Sequence, residues 1–191
     1  MRRSSLEAAR TRREIVAAAS KMFRARGISS VSIADITSSL GLTDGGFYRH
    51  FANKEALVVE ALEFASVETA GDNMERLRHL DSGERATALI DTYLSDLHRA
   101  NPEIGCPVSA LCSDMRHESP KIRAAFTVAL RRLVAVMDAV LPPSVEERRS
   151  VALHCAAEFV GAVVLSRATD DDALAGEILE AVRRDGKDTL A

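Results

Sequence analysis

Apolar residues in the first fifty positions recur at helical spacing, and the pattern breaks at two glycines. Four residues share one face of a helix: Ile15, Ala19, Met22 and Phe23. They predict a first helix over residues 6–26, because Gly27 follows in the usual position of a left-handed C-terminal cap. A positive φ at such a cap is cheap only for glycine.

Two short helices are predicted next, on either side of the second glycine. Ser32 and Asp35 have the spacing of a capping box, which predicts a helix over residues 33–40. Gly41 ends that helix and provides the tight turn to another, predicted over residues 44–50. A helix, a glycine-containing turn and a second helix form the pattern of a helix-turn-helix motif.

Beyond residue 52 the apolar pattern predicts a bundle of further helices. We expect Asn53 to cap a long helix that runs to about residue 80, with an irregularity near Gly71. Prolines and glycines separate the remaining segments, which are an apolar stripe over residues 86–97, a short helix near Val108, a long helix from Pro120, a helix over residues 145–168 and a last helix after residues 169–172. The predicted fold class is therefore all-α, with about nine helices.

We place the boundary between two domains after residue 52. It separates a three-helix head over residues 1–52 from a helical body over residues 53–191. In the body, the stretch ALHCAAEFVGAVVL is apolar on nearly every side, and a helix of this kind has to be covered on every side. Its small residues would let another helix approach closely: Ala156, Ala157, Gly161 and Ala162.

Composition supports the prediction of a helical fold and bears on where in the cell the protein is expected. Apolar residues make up 47% of the 191 positions, aromatic residues only 4%, and tryptophan is absent. We expect no membrane span and no signal sequence, and hence a cytoplasmic location. The three cysteines, Cys106, Cys112 and Cys155, lack the spacing of metal ligands, and so few argue against a disulfide framework.

Charge is distributed unevenly along the chain, although the net charge is only −3. Residues 1–50 contain nine Lys or Arg and four Asp or Glu, which gives +5. The remaining residues contain sixteen basic and twenty-four acidic side chains, which gives −8. A basic head on an acidic body indicates an anionic partner for the head, and chance asymmetry is the alternative.

Two adjacent glycines, Gly45 and Gly46, lie in the first turn of the predicted third helix. In a helix-turn-helix motif this end of the second helix leads into the major groove of DNA. Each glycine costs roughly 1 kcal/mol of helix propensity. Close approach of the backbone to DNA explains that cost, and the alternative is that the pair merely relaxes a loop.

Polar and basic side chains surround the glycine pair. Thr43 is expected to cap the helix, and its hydroxyl suits a phosphate. Tyr48, Arg49 and His50 are predicted on faces that the inward-facing Phe47 and Phe51 do not use, and all three suit phosphates or base edges.

Lys54 falls in the first turn of the next predicted helix, where the helix dipole disfavours a cation unless an anion is nearby. A phosphate bound at that helix start would offset this cost. The alternative is an ordinary solvated lysine.

The segment TRREIVAAASKMFRARGISSVSIADITSSLGLTDGGFYRHFANKEALVVEAL, residues 11–62, closely resembles the TetR family of bacterial transcriptional regulators. Seventeen positions agree in order and spacing: Ile15, Ala18, Ala19, Phe23, Gly27, Ser32, Asp35, Ile36, Gly41, Thr43, Gly45, Tyr48, His50, Phe51, Lys54, Glu55 and Leu57. In the body, GCPVSAL and ESPKIRAAF are similar to one branch, the LmrA/YxaF-like regulators.

The resemblance implies an all-helical homodimer that binds a palindromic double-stranded DNA operator and usually represses transcription. It implies a dimer interface through the last two helices, and a body pocket whose unknown small-molecule effector releases the DNA. No cofactor, metal or membrane is implied. The residues it places against DNA are Ser32, Thr43, Asp44, Gly45, Gly46, Tyr48, Arg49, His50 and Lys54. Asp44 departs from the pattern, since it helps to cap the helix, repels phosphate and suits a cytosine amino group, and these interpretations stay open.

Body residues with polar, aromatic or sulfur-containing side chains are candidates for the effector pocket: Tyr93, His98, Cys106, Cys112, Met115, Arg116, Phe126, His154 and Glu158. Simple packing or surface exposure is the alternative for each. Cys106 lies between Gly105 and Pro107 and is a candidate sensor of electrophiles or oxidants, provided that its thiolate is accessible.

Two other classes of protein fit parts of the sequence. His154 and Glu158 are four residues apart, and Asp114 and His117 are three apart, as metal ligands of a hydrolase would be. No HExxH, nucleophile elbow or phosphate loop accompanies them, so we do not expect an enzyme. A helical dimer that binds a protein partner is the second alternative, and the basic head disfavours it.

Overall fold

A computed structural model describes the backbone of residues 2–190 and most of their side chains, those of residues 2–4, 44, 82, 189 and 190 excepted. Within this range the chain forms helices and no strand, as predicted. The α-helices are α1 (Arg2–Arg26), α2 (Ile33–Ser39), α3 (Asp44–Phe47), α4 (Lys54–Leu77), α5 (Ser82–Tyr93), α6 (Asp96–Ala100), α7 (Pro107–Leu111), α8 (Pro120–Val140), α9 (Arg148–Ala168) and α10 (Asp172–Leu190). Two 3₁₀ turns, Pro102–Ile104 and Asp114–His117, flank α7.

The head has its own apolar core, built by α1, α2, α3 and the first half of α4. Its most deeply buried side chains include Ile15, Phe23, Ile36, Phe47 and Leu57. Both predicted turn glycines have a positive φ, +82° at Gly27 and +65° at Gly41. At Gly41 no atom would touch an added Cβ, so the conformation alone requires glycine there.

Helix α3 is shorter than predicted. Regular helix ends at Phe47, and residues 48–50 form a turn in which the His50 amide donates to the Phe47 carbonyl. The irregularity predicted in α4 near Gly71 is absent. The helix runs without a break past Gly71 and ends at Leu77. Helix α9 begins only at Arg148, because Glu147 has a left-handed conformation with a φ of 49°.

Helix α4 connects the head to the body, since it packs on α1 at its start and on α8 along its length. The body core is formed by α5, α7, α8, α9 and α10. Leu97 was predicted in the apolar stripe of this core, but it is 70% exposed because α5 ends at Tyr93 and the chain turns before α6.

Helix α9 packs against α7, α8 and α10, yet its outer face remains open. By length and composition alone α9 could cross a membrane, with a mean hydropathy of 1.5, which contradicts our expectation that no segment would qualify. Its buried face, centred on Phe159, belongs to the body core. Along the opposite face, the exposed His154 lies among small or apolar residues that are half-buried or exposed: Leu153, Ala157, Val160, Gly161, Val164, Leu165 and Ala168.

Candidate nucleic-acid interface and body cavity

The start of α3 is capped as predicted. The Thr43 hydroxyl accepts a hydrogen bond of 3.3 Å from the Gly46 amide, which also donates to the Thr43 carbonyl at 2.8 Å. Ser32 caps α2 in the same way, because its hydroxyl accepts from the Asp35 amide at 3.0 Å. In return, Asp35 accepts hydrogen bonds from the Ser32 backbone and hydroxyl, which lower the pKa of its carboxyl.

Gly45 and Gly46 are not required by the fold. Neither has a positive φ, and an added Cβ would meet only the Thr43 hydroxyl, at 4.0 Å from Gly45 and 3.7 Å from Gly46. These are ordinary van der Waals distances. Alanine would therefore fit at both positions and would favour the helix, so no contact among the described residues explains why glycine is present.

Two side chains project from the end of α3 into solvent. Tyr48 is 60% exposed, with its ring edge-on to Phe47 at 5.2 Å, and Arg49 is also exposed. Phe47 and Phe51 are buried and stack at 5.5 Å, as predicted for the inward face. This pair anchors the helix, so that Tyr48 and Arg49 are presented outward on a fixed base.

His50 is held at its backbone by Arg12 of α1. The Arg12 guanidinium donates to the His50 carbonyl, pairs with Glu60 of α4 and lies 4.1 Å above the Phe51 ring. One side chain thus connects α1, the end of α3 and α4. The orientation of α3 against the rest of the head depends on this contact.

Lys54 is engaged inside the protein. Its ammonium donates to the Ile28 carbonyl at 2.6 Å and lies 5.9 Å from the centre of the Phe23 ring. It therefore fixes the loop before α2 to the start of α4. The predicted phosphate contact remains a prediction. The side chain of Asp44 lies outside the described residues, so its role stays open as well.

Much of the positive charge of the head is neutralised internally. Arg12 pairs with Glu60, and the buried Arg24 lies 3.4 Å from Glu68, two acids that the count over residues 1–50 does not include. Exposed basic side chains without an ion pair among the described residues include Arg13, Lys21 and Arg49. The field that an anionic partner meets is therefore weaker than the sequence charge of +5 suggests.

The body contains a cavity of about 470 Å³ between α4, α5, α6, α7 and α8. Three of the candidate pocket residues line it: Tyr93, His98 and Cys106. The other lining residues are Ser66, Thr69, Ala70, Asp72, Asn73, Arg76, Thr92, Ser95, Leu97, Asn101, Ile104, Gly105, Pro107, Val108, Ala129, Leu133 and Val136.

Six candidate pocket residues do not line this cavity, and one of them, Arg116, is exposed. Met115 is buried in the head core, and Phe126 packs between the two cores. Cys112 is half-buried on α7's far end, where burial raises the pKa of its thiol. His154 and Glu158 pair with each other at 3.2 Å on the outer side of α9. Sequence spacing did not reveal which side of each helix would face the cavity.

The contribution of α4 to the cavity was missed, although its signal is present in the sequence. Ser66, Thr69, Ala70, Asn73 and Arg76 follow the three-and-four spacing of one helix face. That face is small and polar in the middle of a helix that otherwise buries leucine and valine. The metal-ligand alternative also finds no support among the described residues, where Asp114 instead accepts a hydrogen bond from the Ile28 amide at 2.8 Å.

His98 holds the cavity wall in place. Its Nε2 accepts from the Cys106 amide at 3.0 Å, and its Nδ1 lies 2.6 Å from the Tyr93 carbonyl. Both contacts are satisfied by the neutral ring with the proton on Nδ1. Burial lowers the pKa of His98, which keeps it in this form.

Gly105→Ala is expected to destabilise the protein by about 1–3 kcal/mol, the cost of breaking buried hydrogen bonds. A methyl group there would lie 2.5 Å from Cδ2 and 2.6 Å from Nε2 of His98, and the two hydrogen bonds prevent the ring from moving away. Urea denaturation measures the change. Gly71→Ala, in the open middle of α4, is the control and should be neutral or stabilising. Equal stability of the Gly105→Ala and Gly71→Ala proteins would show that the two hydrogen bonds do not hold the His98 ring against Gly105.

Arg24 joins the cavity wall to the head. This α1 side chain is buried, and its guanidinium donates to the Gly105 carbonyl at 2.7 Å and to the Ser20 carbonyl at 3.2 Å. It also lies 3.4 Å from the Glu68 carboxylate on α4. Burial lowers the pKa of Arg24. Gly105, whose carbonyl accepts the hydrogen bond from Arg24 of α1, is thus also part of the cavity wall.

The described residues thus form an all-helical fold in which a helix-turn-helix head joins a cavity-containing body. Residues 15–61 match the sequence model of the bacterial regulatory proteins of the tetR family. This match covers about a quarter of the chain and identifies the head as similar to the DNA-binding domain of that family.

Several known proteins are similar to this chain, which spans about 63% of the length of the first curated relatives. An uncharacterized HTH-type transcriptional regulator of Mycobacterium tuberculosis is 29% identical over 129 residues, which are 66% of this chain and 63% of that protein. The reduced form of Escherichia coli NemR has the same fold, with a TM-score of 0.81, 20% identity and coverage of 95% of this chain and 97% of that one. A TetR-family regulator from Cytophaga hutchinsonii gives a TM-score of 0.80 at 19% identity, over 96% of each chain.

Proposed function

We propose that this protein is a transcriptional regulator whose head places α3 in the major groove of a double-stranded DNA operator. The observation that carries the proposal is the pair Gly45 and Gly46, which the fold itself does not require. A flat, side-chain-free start of α3 lets the backbone approach a duplex closely. Exposed Tyr48 and Arg49 then supply contacts to phosphates and base edges.

We further propose a homodimer formed through α9 and α10. The apolar outer face of α9 continues onto α10, where Leu174 is 45% exposed and Ala181 is exposed. A second copy of the same surface covers such a face by two-fold symmetry. Two heads then read a palindromic operator, with half-sites about 34–36 Å apart or a multiple of that distance.

The body cavity is the proposed site of a small-molecule effector that releases the repressor from DNA. Helix α4 lines the cavity with its second half, and its first half packs in the head core next to α3. A ligand that fits the DNA-free arrangement better weakens operator binding by the same factor. A cytoplasmic location accords with this role. Membership of the LmrA/YxaF-like branch rests only on GCPVSAL and ESPKIRAAF and stays a prediction.

The double variant Gly45→Ala/Gly46→Ala tests the proposal. We expect it to be at least as stable as the parent, since both methyl groups have room. Operator affinity should nevertheless fall by about tenfold or more, because each methyl group separates the backbone from the duplex. The measurement is a gel shift with DNA from around the protein's own gene.

Gly71→Ala makes the same change in α4, far from the head, and should leave DNA binding unchanged. An undiminished affinity of the Gly45→Ala/Gly46→Ala protein would show that α3 does not approach DNA through its first turn. Failure of the parent protein to bind any fragment around its gene would refute the wider proposal.

A further inference from the structure

We infer that the body cavity binds an uncharged, largely apolar organic molecule, an inference that rests on the proposed role of the cavity as an effector site. A volume of about 470 Å³ lies in the range that holds drug-sized ligands. The chemistry of the walls decides which molecules of that size are accepted.

The deep wall is apolar. Val108 of α7 and three residues of α8, Ala129, Leu133 and Val136, are all buried and line the cavity. Pro107 and the Ala70 side chain complete this surface. A ligand that covers it gains the free energy of removing apolar area from water.

Four polar side chains in the wall already donate hydrogen bonds within the protein, whereas the buried Tyr93 hydroxyl has no partner among the described residues. The Ser66, Thr69 and Ser95 hydroxyls donate to backbone carbonyls one turn or less earlier, at 2.8–2.9 Å. The Asn101 amide likewise donates to the Leu97 carbonyl at 2.8 Å. An anionic group of a ligand would therefore find no free donor among these three hydroxyls.

His98 does not supply a charge either. Both ring nitrogens are occupied by backbone groups, and the ring is neutral in that arrangement. Arg24 contacts the wall from behind, through the Gly105 carbonyl, and is not itself a lining residue. The depth of the cavity thus presents neither a cation nor an anion to a ligand.

Charged lining residues are confined to the exposed edge. Asp72 and Arg76, both exposed, lie four residues apart on α4 and carry opposite charges. Across from them, Leu97 and Ile104 are 70% and 57% exposed and form an apolar rim. A charged ligand would have to keep its charged group at this edge or bury that group without a partner. Burying an unpaired charge is costly.

Three aminonaphthalenes test the inference, because they share a ring system and differ in charge. N-phenyl-1-naphthylamine is neutral, 1-anilinonaphthalene-8-sulfonate adds a sulfonate to the same skeleton, and N-(1-naphthyl)ethylenediamine carries an ammonium at neutral pH. We expect equilibrium dialysis to show one neutral probe bound per subunit, about tenfold or more tighter than either charged probe. Equal or tighter binding of either ion would overturn the inference.

A cavity-filling variant locates the probe. Ala129→Phe fills the deep wall, whereas Ala135→Phe makes the same change on an exposed position of α8. We expect only the first to weaken binding of the neutral probe, by about tenfold or more. Unchanged binding to a folded Ala129→Phe protein would place the probe elsewhere and refute the inference. Should this variant not fold, the comparison of the three probes on the parent protein still decides.

Gel shifts with and without the neutral probe separate this inference from the proposed function. Tight binding of the neutral probe to a protein that never binds DNA would refute the proposed regulator and leave the ligand class standing. DNA binding together with a preference for an ionic probe would support the proposed regulator and refute the inference about the ligand class.

Discussion

Arg24→Met is expected to destabilise the protein and to loosen the head from the body. Methionine occupies a similar volume but donates no hydrogen bond, so the buried Gly105 carbonyl loses its partner. A stranded buried acceptor costs about 1–3 kcal/mol. Glu68 adds less, because its side chain is 38% exposed and can turn to water. Chemical denaturation measures the loss.

Arg26→Met is the matched control on the same helix. Its side chain is 50% exposed and lies 3.9 Å from Asp35, so this ion pair contributes little. We expect its stability to stay within about 0.5 kcal/mol of the parent. Equal effects of the two substitutions would mean that Arg24 is not a structural link.

Arg24→Met also tests whether ligand binding in the cavity is coupled to the head. Gly105 forms part of the cavity wall and bonds to α1, and Asp114 joins the following 3₁₀ turn to the Ile28 amide. A ligand that displaces the wall therefore acts on α1 as well as on α4. We expect Arg24→Met to reduce the change in operator affinity that the neutral probe produces, while the probe's own affinity remains.

The head was predictable because its signals are local. Gly27 and Gly41 end helices through their own backbone conformation, and the Ser32–Asp35 capping box spans three residues. The excess length predicted for α3 has a local cause too, since residues 48–50 keep turn hydrogen bonds without continuing the helix. Apolar spacing does not distinguish those two states.

The cavity was less predictable because its walls come together from distant segments. Arg24 and Gly105 are 81 positions apart, and nothing near Arg24 in the sequence marks it as buried. Met115 and Phe126 have the composition of pocket residues, yet the docking of α7 and α8 against the head directs them to its core. Only the packing of α4 on α8 determines which face of each helix borders the cavity.

Ala157→Arg is expected to convert the proposed dimer into monomers and to abolish tight operator binding. Ala157 is exposed on the outer face of α9, between Leu153 and Gly161, so the arginine does not disturb the fold of one subunit. In a symmetric interface two arginines would meet in an apolar contact, where unpaired charge is costly. Light scattering should then give a mass of 20.7 kDa instead of twice that value.

The loss of DNA affinity follows from geometry. A dimer binds its second half-site at a high effective concentration, which adds about 10²- to 10⁴-fold to the affinity of a single head. Ala135→Arg places the same side chain on an exposed position of α8 and should change neither mass nor affinity. A dimeric Ala157→Arg protein would exclude this face of α9 as the interface. A monomer that kept full affinity would show instead that one head suffices. This would contradict the proposal that the two heads of a dimer bind the two half-sites of a palindromic operator.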